Sequence, residues 1–261
     1  MKVVLFCGGM GTRLREHSDA IPKPLVSIGY RPLLWHLMKY YSYYGHKDFI
    51  LCLGYRGDMI KEFFLNFNEC MSNDFVMSEG GRNIQLFNSD IQDWRITFVE
   101  TGLHANIGER LMAVREHLEG EELFLANYSD GLTDLHFDSY MKTSLEQDVV
   151  ASFVGIRTSQ SFHAVHADSQ GMVYDFGQVS DSEFWVNGGY FIFRREVFEY
   201  IEAGEELVEA PFKRMIANKQ LYCHRYRGFW KSMDTFKDKI EFDRMHARGH
   251  APWAVWNSGR S

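Results

Sequence analysis

The sequence predicts an α/β fold: a mainly parallel central sheet flanked by helices. Three observations carry this. Strand-like apolar runs alternate with amphipathic segments through the first half. The first run, Val3-Val4-Leu5-Phe6, leads directly into the glycine-rich stretch Gly8-Gly9-Met10-Gly11-Thr12-Arg13. A second buried run, Leu123-Phe124-Leu125-Ala126-Asn127-Tyr128, ends in Ser129-Asp130-Gly131. In order, the pattern gives a strand at 2–8, a helix at 32–45, a strand at 48–54, a helix at 57–71, a strand at 95–101, a helix at 108–119 and the strand at 123–128. Residues 73–94 are polar, contain Gly80-Gly81 and read as an excursion or short hairpin. The second half adds strands at 149–156, 184–193 and 221–228, and helices at 194–203, 209–219 and roughly 234–247. Sheets of this kind bind ligands at the carboxyl ends of their strands. The glycine loop and the 129–131 turn both lie at such ends, so they face one crevice.

Composition narrows the function. Lys and Arg number 28 against 35 Asp and Glu, a net charge of −7. That argues against nucleic acid as a partner, which would need a basic face. The four cysteines, Cys7, Cys52, Cys70 and Cys223, are far apart and form no CxxC, so neither a zinc site nor a disulfide frame is signalled. No run approaches the roughly 18 apolar residues of a membrane span, and no signal segment opens the chain. The expectation is a soluble, cytoplasmic protein with no membrane partner. Trp35, Met38, Tyr41 and Tyr44 recur at helical spacing, a stripe suited to the core or to a subunit contact. It raises the expectation of a homo-oligomer.

The chemistry concentrates in residues 8–24. Glycines allow positive φ and close approach, so successive N–H groups can point at one anion. Arg13 supplies a fixed fork of donors suited to phosphate oxygens. Lys23 stands between Pro22 and Pro24, whose locked φ presets its backbone. A phosphate-binding P-loop is excluded because no Lys-Ser or Lys-Thr closes the loop. The dinucleotide fingerprint fails too, because Leu14 occupies the place of its third glycine. Without Arg13 and Lys23 these glycines would read equally well as a tight bend.

The pattern Gly8-Gly9-x-Gly11-Thr12-Arg13-Leu14 followed by Pro22-Lys23-Pro24 resembles the signature of sugar-1-phosphate nucleotidylyltransferases, most of all the glucose-1-phosphate cytidylyltransferases. Gly54-Tyr55-Arg56-Gly57, Asn187-Gly188-Gly189-Tyr190 and Gly228-Phe229-Trp230-Lys231-Ser232-Met233-Asp234-Thr235 extend the likeness collinearly to about residue 245. The resemblance implies a Rossmann-like sheet of the nucleotide-diphospho-sugar transferase type. It implies one domain over 1–248, with a nucleotide-binding half at about 1–135, a sugar-binding half at about 136–248 and a tail at 249–261. It further implies attack of a sugar 1-phosphate on the α-phosphorus of CTP, with Mg2+ as cofactor. UTP or dTTP in place of CTP, or a sugar-nucleotide-binding regulator without turnover, are the alternatives.

Site residues follow from the same likeness. Asp130 and Asp234 would hold the metal, which takes one or two carboxylates plus substrate phosphates. As bare sequence, either could equally be a turn or helix-cap aspartate. Arg13, Lys23 and Asp130 would be catalytic. Phe6, Gly8, Gly9, Gly11, Thr12, Arg13, Lys23 and Arg110 would bind the nucleotide. Arg110 follows Gly108-Glu109, where the family has paired glycines, and could otherwise be a solvated helix residue. Asn187, Gly188, Gly189 and Lys231 would bind the sugar. One departure stands out. The family's Glu-Lys-Pro, whose lysine binds the sugar phosphate, is replaced by Asp175-Phe176-Gly177-Gln178-Val179-Ser180. Either Arg157, Lys231 or Arg194 replaces that lysine, or the substrate differs.

Overall fold

The structure, a computed structural model, describes residues 1–9, 21–157, 163–178 and 184–257. Its first half runs β1 (Lys2–Phe6), the short β2 (Ser27–Ile28) and β3 (Arg31–Pro32), α1 (Leu33–Tyr43), β4 (Asp48–Leu53) and α2 (Gly57–Leu65). Next come β5 (Phe75–Ser78), β6 (Asn83–Leu86), β7 (Arg95–Glu100), α3 (Ile107–Ala113), β8 (Leu123–Asn127) and β9 (Gly131–Thr133). The second half holds α4 (Phe137–Glu146), β10 (Ala151–Ile156), β11 (His163–Ala167), β12 (Val173–Gln178) and β13 (Val186–Arg194). It ends with α5 (Ala210–Ala217), β14 (Leu221–Tyr226), β15 (Trp230–Ser232) and α6 (Phe236–Ala247).

Seven strands form one sheet in the order β14-β10-β13-β8-β1-β4-β7. β1 pairs in parallel with β4 and β8, β4 with β7, and β10 with β14; only β13 runs antiparallel to its neighbours. A strand buried on both faces should be apolar throughout, and Val3, Val4, Leu5 and Phe6 are all buried. Alternate side chains feed two cores. Val3, Leu5, Tyr190 and Ile192 pack with α1 and with Phe137 and Tyr140 of α4 on one face. Val4, Phe6, Phe191 and Phe193 pack with Leu111 of α3 and Phe212 of α5 on the other. Strands from both halves of the chain thus share one sheet, as the mainly parallel α/β prediction requires.

Several local expectations are corrected. The 57–71 helix stops at Leu65, with a separate single turn at Glu69–Met71. The 108–119 helix breaks at Val114 into α3 and a 3-10 turn over Arg115–Leu118. The 194–203 helix is a 3-10 turn, Arg195–Tyr200. Helix α4 went unforeseen because its buried stripe is only Phe137, Tyr140 and Ser144, too sparse to register as a period. Residues 249–257 of the tail pack into the core: the fully buried Trp253 packs on Phe242 and Phe229, and Trp256 meets Trp35 edge-on. Of the aromatic stripe, Trp35, Met38 and Tyr41 are buried in the chain's own core and Tyr44 is half-buried, the first of the two roles expected for it. The 73–94 excursion is the β5–β6 hairpin, as expected.

Outside the main sheet, β9 pairs with β15, setting Gly131 opposite Ser232 and Thr133 opposite Trp230. The Met233 N–H then donates to the Asp130 carbonyl at 2.8 Å. This small ladder carries the end of the chain back to the carboxyl end of β8.

Candidate active site

Lys23, Asp130 and Asp234, each read separately from the sequence, meet. The Lys23 ammonium donates to Asp130 Oδ2 at 3.0 Å and to Asp234 Oδ1 at 2.7 Å. Lys23 opens a 3-10 turn over Lys23–Leu25, closed by Leu25 N–H to Pro22 O at 2.8 Å, with Pro24 buried beneath. The two prolines therefore fix the lysine's base as expected. Asp130 follows Ser129, a buried residue held at φ +65°, a conformation that costs a non-glycine residue about 1 kcal/mol or more. The strained turn is held by the Ser129 N–H donating to Asn127 Oδ1 (3.0 Å) and by the Cys7 thiol donating to Ser129 Oγ (3.5 Å). Asp234 is further bound by the Ser232 hydroxyl at 2.6 Å. Helix capping does not occupy Asp234, because Thr235 is the N-cap of α6 and forms a capping box with Asp238.

Electrostatics separates the three groups. Burial raises the Asp130 carboxyl above the usual carboxylate range, and Lys23 offsets only part of that. For Asp234, burial also pushes upward, but Lys23 and Ser232 together outweigh it and leave the carboxyl low. Burial would lower Lys23, yet its two carboxylates hold it above its ordinary value, so it stays charged at neutral pH. The donor set fits a hard divalent cation. Two carboxylates already converge on one cationic atom, and no third His, Cys, Asp or Glu joins them among the described residues. Such a pair leaves coordination positions for phosphate oxygens, the usual arrangement for Mg2+.

The nucleotide-side expectations lie at the ends of β1 and β4. Gly8 is buried against the Arg110 guanidinium, and a Cβ there would sit 2.1 Å from Arg110 Nη1. Gly9 is exposed with nothing within 4 Å of such a Cβ. The Phe6 ring is buried near Tyr128, so only backbone at this point faces the crevice. Arg110 is no solvated helix residue. It is buried and donates to Gly8 O (3.2 Å), Leu53 O (3.1 Å) and Thr101 Oγ1 (2.7 Å), bracing the loop from beneath. Glu109, in place of the family's second glycine, is half of a capping box with Asn106. Gly11, Thr12 and Arg13 lie outside the described residues.

On the sugar side, Asn187 Oδ1 accepts from Gly189 N–H at 2.9 Å and its amide donates to the Tyr128 hydroxyl at 3.0 Å. Gly189 has φ +76°, and a Cβ there would lie 2.4 Å from the Tyr128 ring. Gly188 O accepts from Trp230 Nε1 at 2.9 Å. Lys231, between Trp230 and Ser232, is engaged elsewhere: its ammonium sits 2.9 Å from Asp238 and 2.7 Å from Glu241. Arg194 is at the far end of β13 and donates to Val149 O and Asp148. Sequence reasoning missed Tyr128 and Ser232, which position Asn187 and Asp234. Their signal was adjacency: each lies within two residues of an aspartate singled out for the metal.

The sequence profile of the nucleotidyl transferase family matches residues 2–245. A protein named "probable glucose-1-phosphate cytidylyltransferase" from Bacillus subtilis (strain 168) is 36% identical over 261 residues, 98% of this chain and 100% of that protein. The glucose-1-phosphate cytidylyltransferase of Salmonella typhi is 34% identical over 98% of this chain and 100% of its own length. A UDP-glucose pyrophosphorylase solved with UDP-glucose shares the fold at a TM-score of 0.68 and 14% identity, covering 95% of this chain and 98% of that one.

Proposed function

The chain belongs to the nucleotidyl transferase family, and we propose that within it the chain is a magnesium-dependent cytidylyltransferase. It condenses CTP with glucose 1-phosphate or a related sugar 1-phosphate. The observation that carries this reading is the meeting of Lys23, Asp130 and Asp234 at the carboxyl end of β8. A phosphate oxygen of the sugar 1-phosphate attacks the α-phosphorus of CTP. The bond from that phosphorus to the bridging oxygen breaks, and pyrophosphate leaves with the electron pair. Such transfers depend on positioning and charge neutralisation more than on a protein nucleophile.

Each residue has a task in this reading. Asp130 and Asp234 hold Mg2+, which when bound neutralises phosphate charge. Lys23 presents a permanent positive charge to the α-phosphate. The backbone from Phe6 to Gly9 serves the nucleotide, and the same reading gives Gly11 and Thr12 to nucleotide binding and Arg13 to the departing phosphates. Arg110 acts through the loop, keeping Gly8 in place. Asn187, Gly188 and Gly189 receive sugar hydroxyls, since a side-chain amide both donates and accepts. Lys231 is left out of the sugar contacts because two carboxylates already hold it. Among the described residues no helix is long and apolar enough to cross a membrane, and the reading sets the reaction in the cytoplasm. Self-association belongs to it too, through the exposed Val76, Met77, Ile84 and Phe87 of and beside the β5–β6 hairpin; light scattering of the purified chain tests that.

Pyrophosphate release tests the reaction. With Mg2+ present, CTP and glucose 1-phosphate should release it faster than UTP, dTTP, ATP or GTP. Release with UTP or dTTP instead would move the base assignment, and nucleotide binding without release from any pair would replace the enzyme with a regulator.

A further inference from the structure

Lys23 stands on a base with little freedom to shift. Pro22 and Pro24 lock φ on either side of it. Its turn is closed by Leu25 N–H to Pro22 O at 2.8 Å and by Val26 N–H to Lys23 O at 3.1 Å. Pro22, Pro24 and Val26 are all buried. Movement of the ammonium is therefore left to the flexible four-carbon stem.

The two carboxylates are pinned as firmly. Three backbone atoms around Asp130 are held. Ser129 N–H donates to Asn127 Oδ1 (3.0 Å), Met233 N–H to Asp130 O (2.8 Å) and the Tyr190 hydroxyl to Gly131 O (3.0 Å). Asp234 has both oxygens engaged, Oδ1 by Lys23 and Oδ2 by the Ser232 hydroxyl. The β9–β15 pairing, with Gly131 opposite Ser232, sets the spacing between the two acids.

Asp130 Oδ2 and Asp234 Oδ1 face one common point, and the Lys23 ammonium fills it at 3.0 and 2.7 Å. A divalent cation held by both acids needs those same oxygens. Two cations crowded within about 3 Å of each other repel strongly. Ammonium and metal therefore exclude one another at this point, and with both acids pinned it is the lysine stem that must give way.

Phosphate resolves the conflict. β1, which leads into the glycine loop, is the sheet neighbour of β8, which leads to Asp130. Nucleotide phosphates lying between those strand ends offer the ammonium another anion, and lysine binds phosphate as a point charge. The stem can then leave the acids for the phosphates, which frees the shared oxygens.

We propose that Lys23 is an electrostatic latch on the metal site: it bars a divalent cation from entering alone and releases the site when a nucleotide's phosphates draw the ammonium away. This rests on the reading of Asp130 and Asp234 as metal ligands of a nucleotidyltransferase. Metal and nucleotide then favour each other's binding, and by linkage each raises the other's affinity by the same factor.

Calorimetry with Mn2+, which shares the octahedral, oxygen-rich preference of Mg2+, tests the latch without turnover. Free Mn2+ is corrected for its complex with CTP. The native chain should bind Mn2+ at least about tenfold tighter with CTP, in the absence of sugar phosphate, than without it. Lys23→Met keeps the apolar stem and removes the charge. Without nucleotide, that variant should bind Mn2+ at least about tenfold tighter than the native chain, even though its pyrophosphate release falls. Adding Asp234→Asn to Lys23→Met should abolish that gain, which places it at this site. Native binding of Mn2+ that is equally tight with and without CTP would overturn the proposal, however the variants fold. So would a folded Lys23→Met chain that binds Mn2+ no tighter than the native one, or a gain that survives Asp234→Asn. The reaction itself is judged separately. No pyrophosphate release from any nucleotide, with these metal affinities as expected, would remove the transferase reading and leave the latch standing.

Discussion

Two lysines in this chain are each clasped by two carboxylates, and their contrast separates site from scaffold. Lys23 lies between Asp130 and Asp234, Lys231 between Asp238 and Glu241. Burial does not distinguish them, since their side chains are 14% and 16% exposed. Sequence separation does. The partners of Lys23 are 107 and 211 residues away, drawn from separate elements to one sheet edge beside a strained serine. The partners of Lys231 lie within α6, the helix that follows it directly. The first cluster costs folding something, through strain and a half-buried carboxylate with a raised pKa. The second only ties β15 to its helix. Charge gathered from across the chain at the carboxyl edge of a sheet calls for a ligand; charge gathered locally does not.

The contrast predicts where substitutions will act. Asp130→Asn should lower kcat about 10³-fold while the melting temperature stays close to that of the native chain; near-native turnover would erase the distinction. A second effect belongs to the scaffold behind α6. His36 is buried: its Nε2–H donates to Ile28 O at 3.0 Å and its Nδ1 accepts from Trp253 Nε1 at 3.3 Å. Burial therefore lowers its pKa from 6.5 to about 4. Between those values the unfolded chain binds a proton that the folded chain refuses. Stability is then full above pH 6.5 and falls by up to about 3 kcal/mol as the pH drops toward 4. Urea unfolding at pH 7 and pH 5 checks this, and equal midpoints would contradict it.

Smaller effects sharpen the boundary. Gly8→Ala places a Cβ against the Arg110 guanidinium, so it should destabilise by about 1–3 kcal/mol and weaken nucleotide binding. Thermal melting with and without CTP reads both. Lys231→Met should change stability by no more than about 1 kcal/mol and leave the KM for sugar 1-phosphate within about threefold. A larger rise in that KM would return Lys231 to the sugar site.

Legibility followed the same division. Lys23, Asp130 and Asp234 could be singled out because each sits in a short motif at a strand end or between prolines, where chemistry leaves a local trace. Their convergence was not legible, since it depends on the β9–β15 ladder, two strands of only three residues each. Asp234 looked like a possible helix cap until the structure gave that task to Thr235 and Asp238. Lys231 looked free because nothing in Trp230-Lys231-Ser232 reveals that alternation along β15 turns it toward α6. Trp253 and Trp256 carried no period of their own, and only tertiary packing makes 249–257 part of the core.

The central claim is that Asp130 and Asp234 hold one metal ion with Lys23 beside it. Magnesium titration of pyrophosphate release, in the native chain and in Asp234→Asn, tests it most directly. The half-saturating Mg2+ concentration should rise about tenfold or more in the variant. An unchanged magnesium dependence would contradict the account.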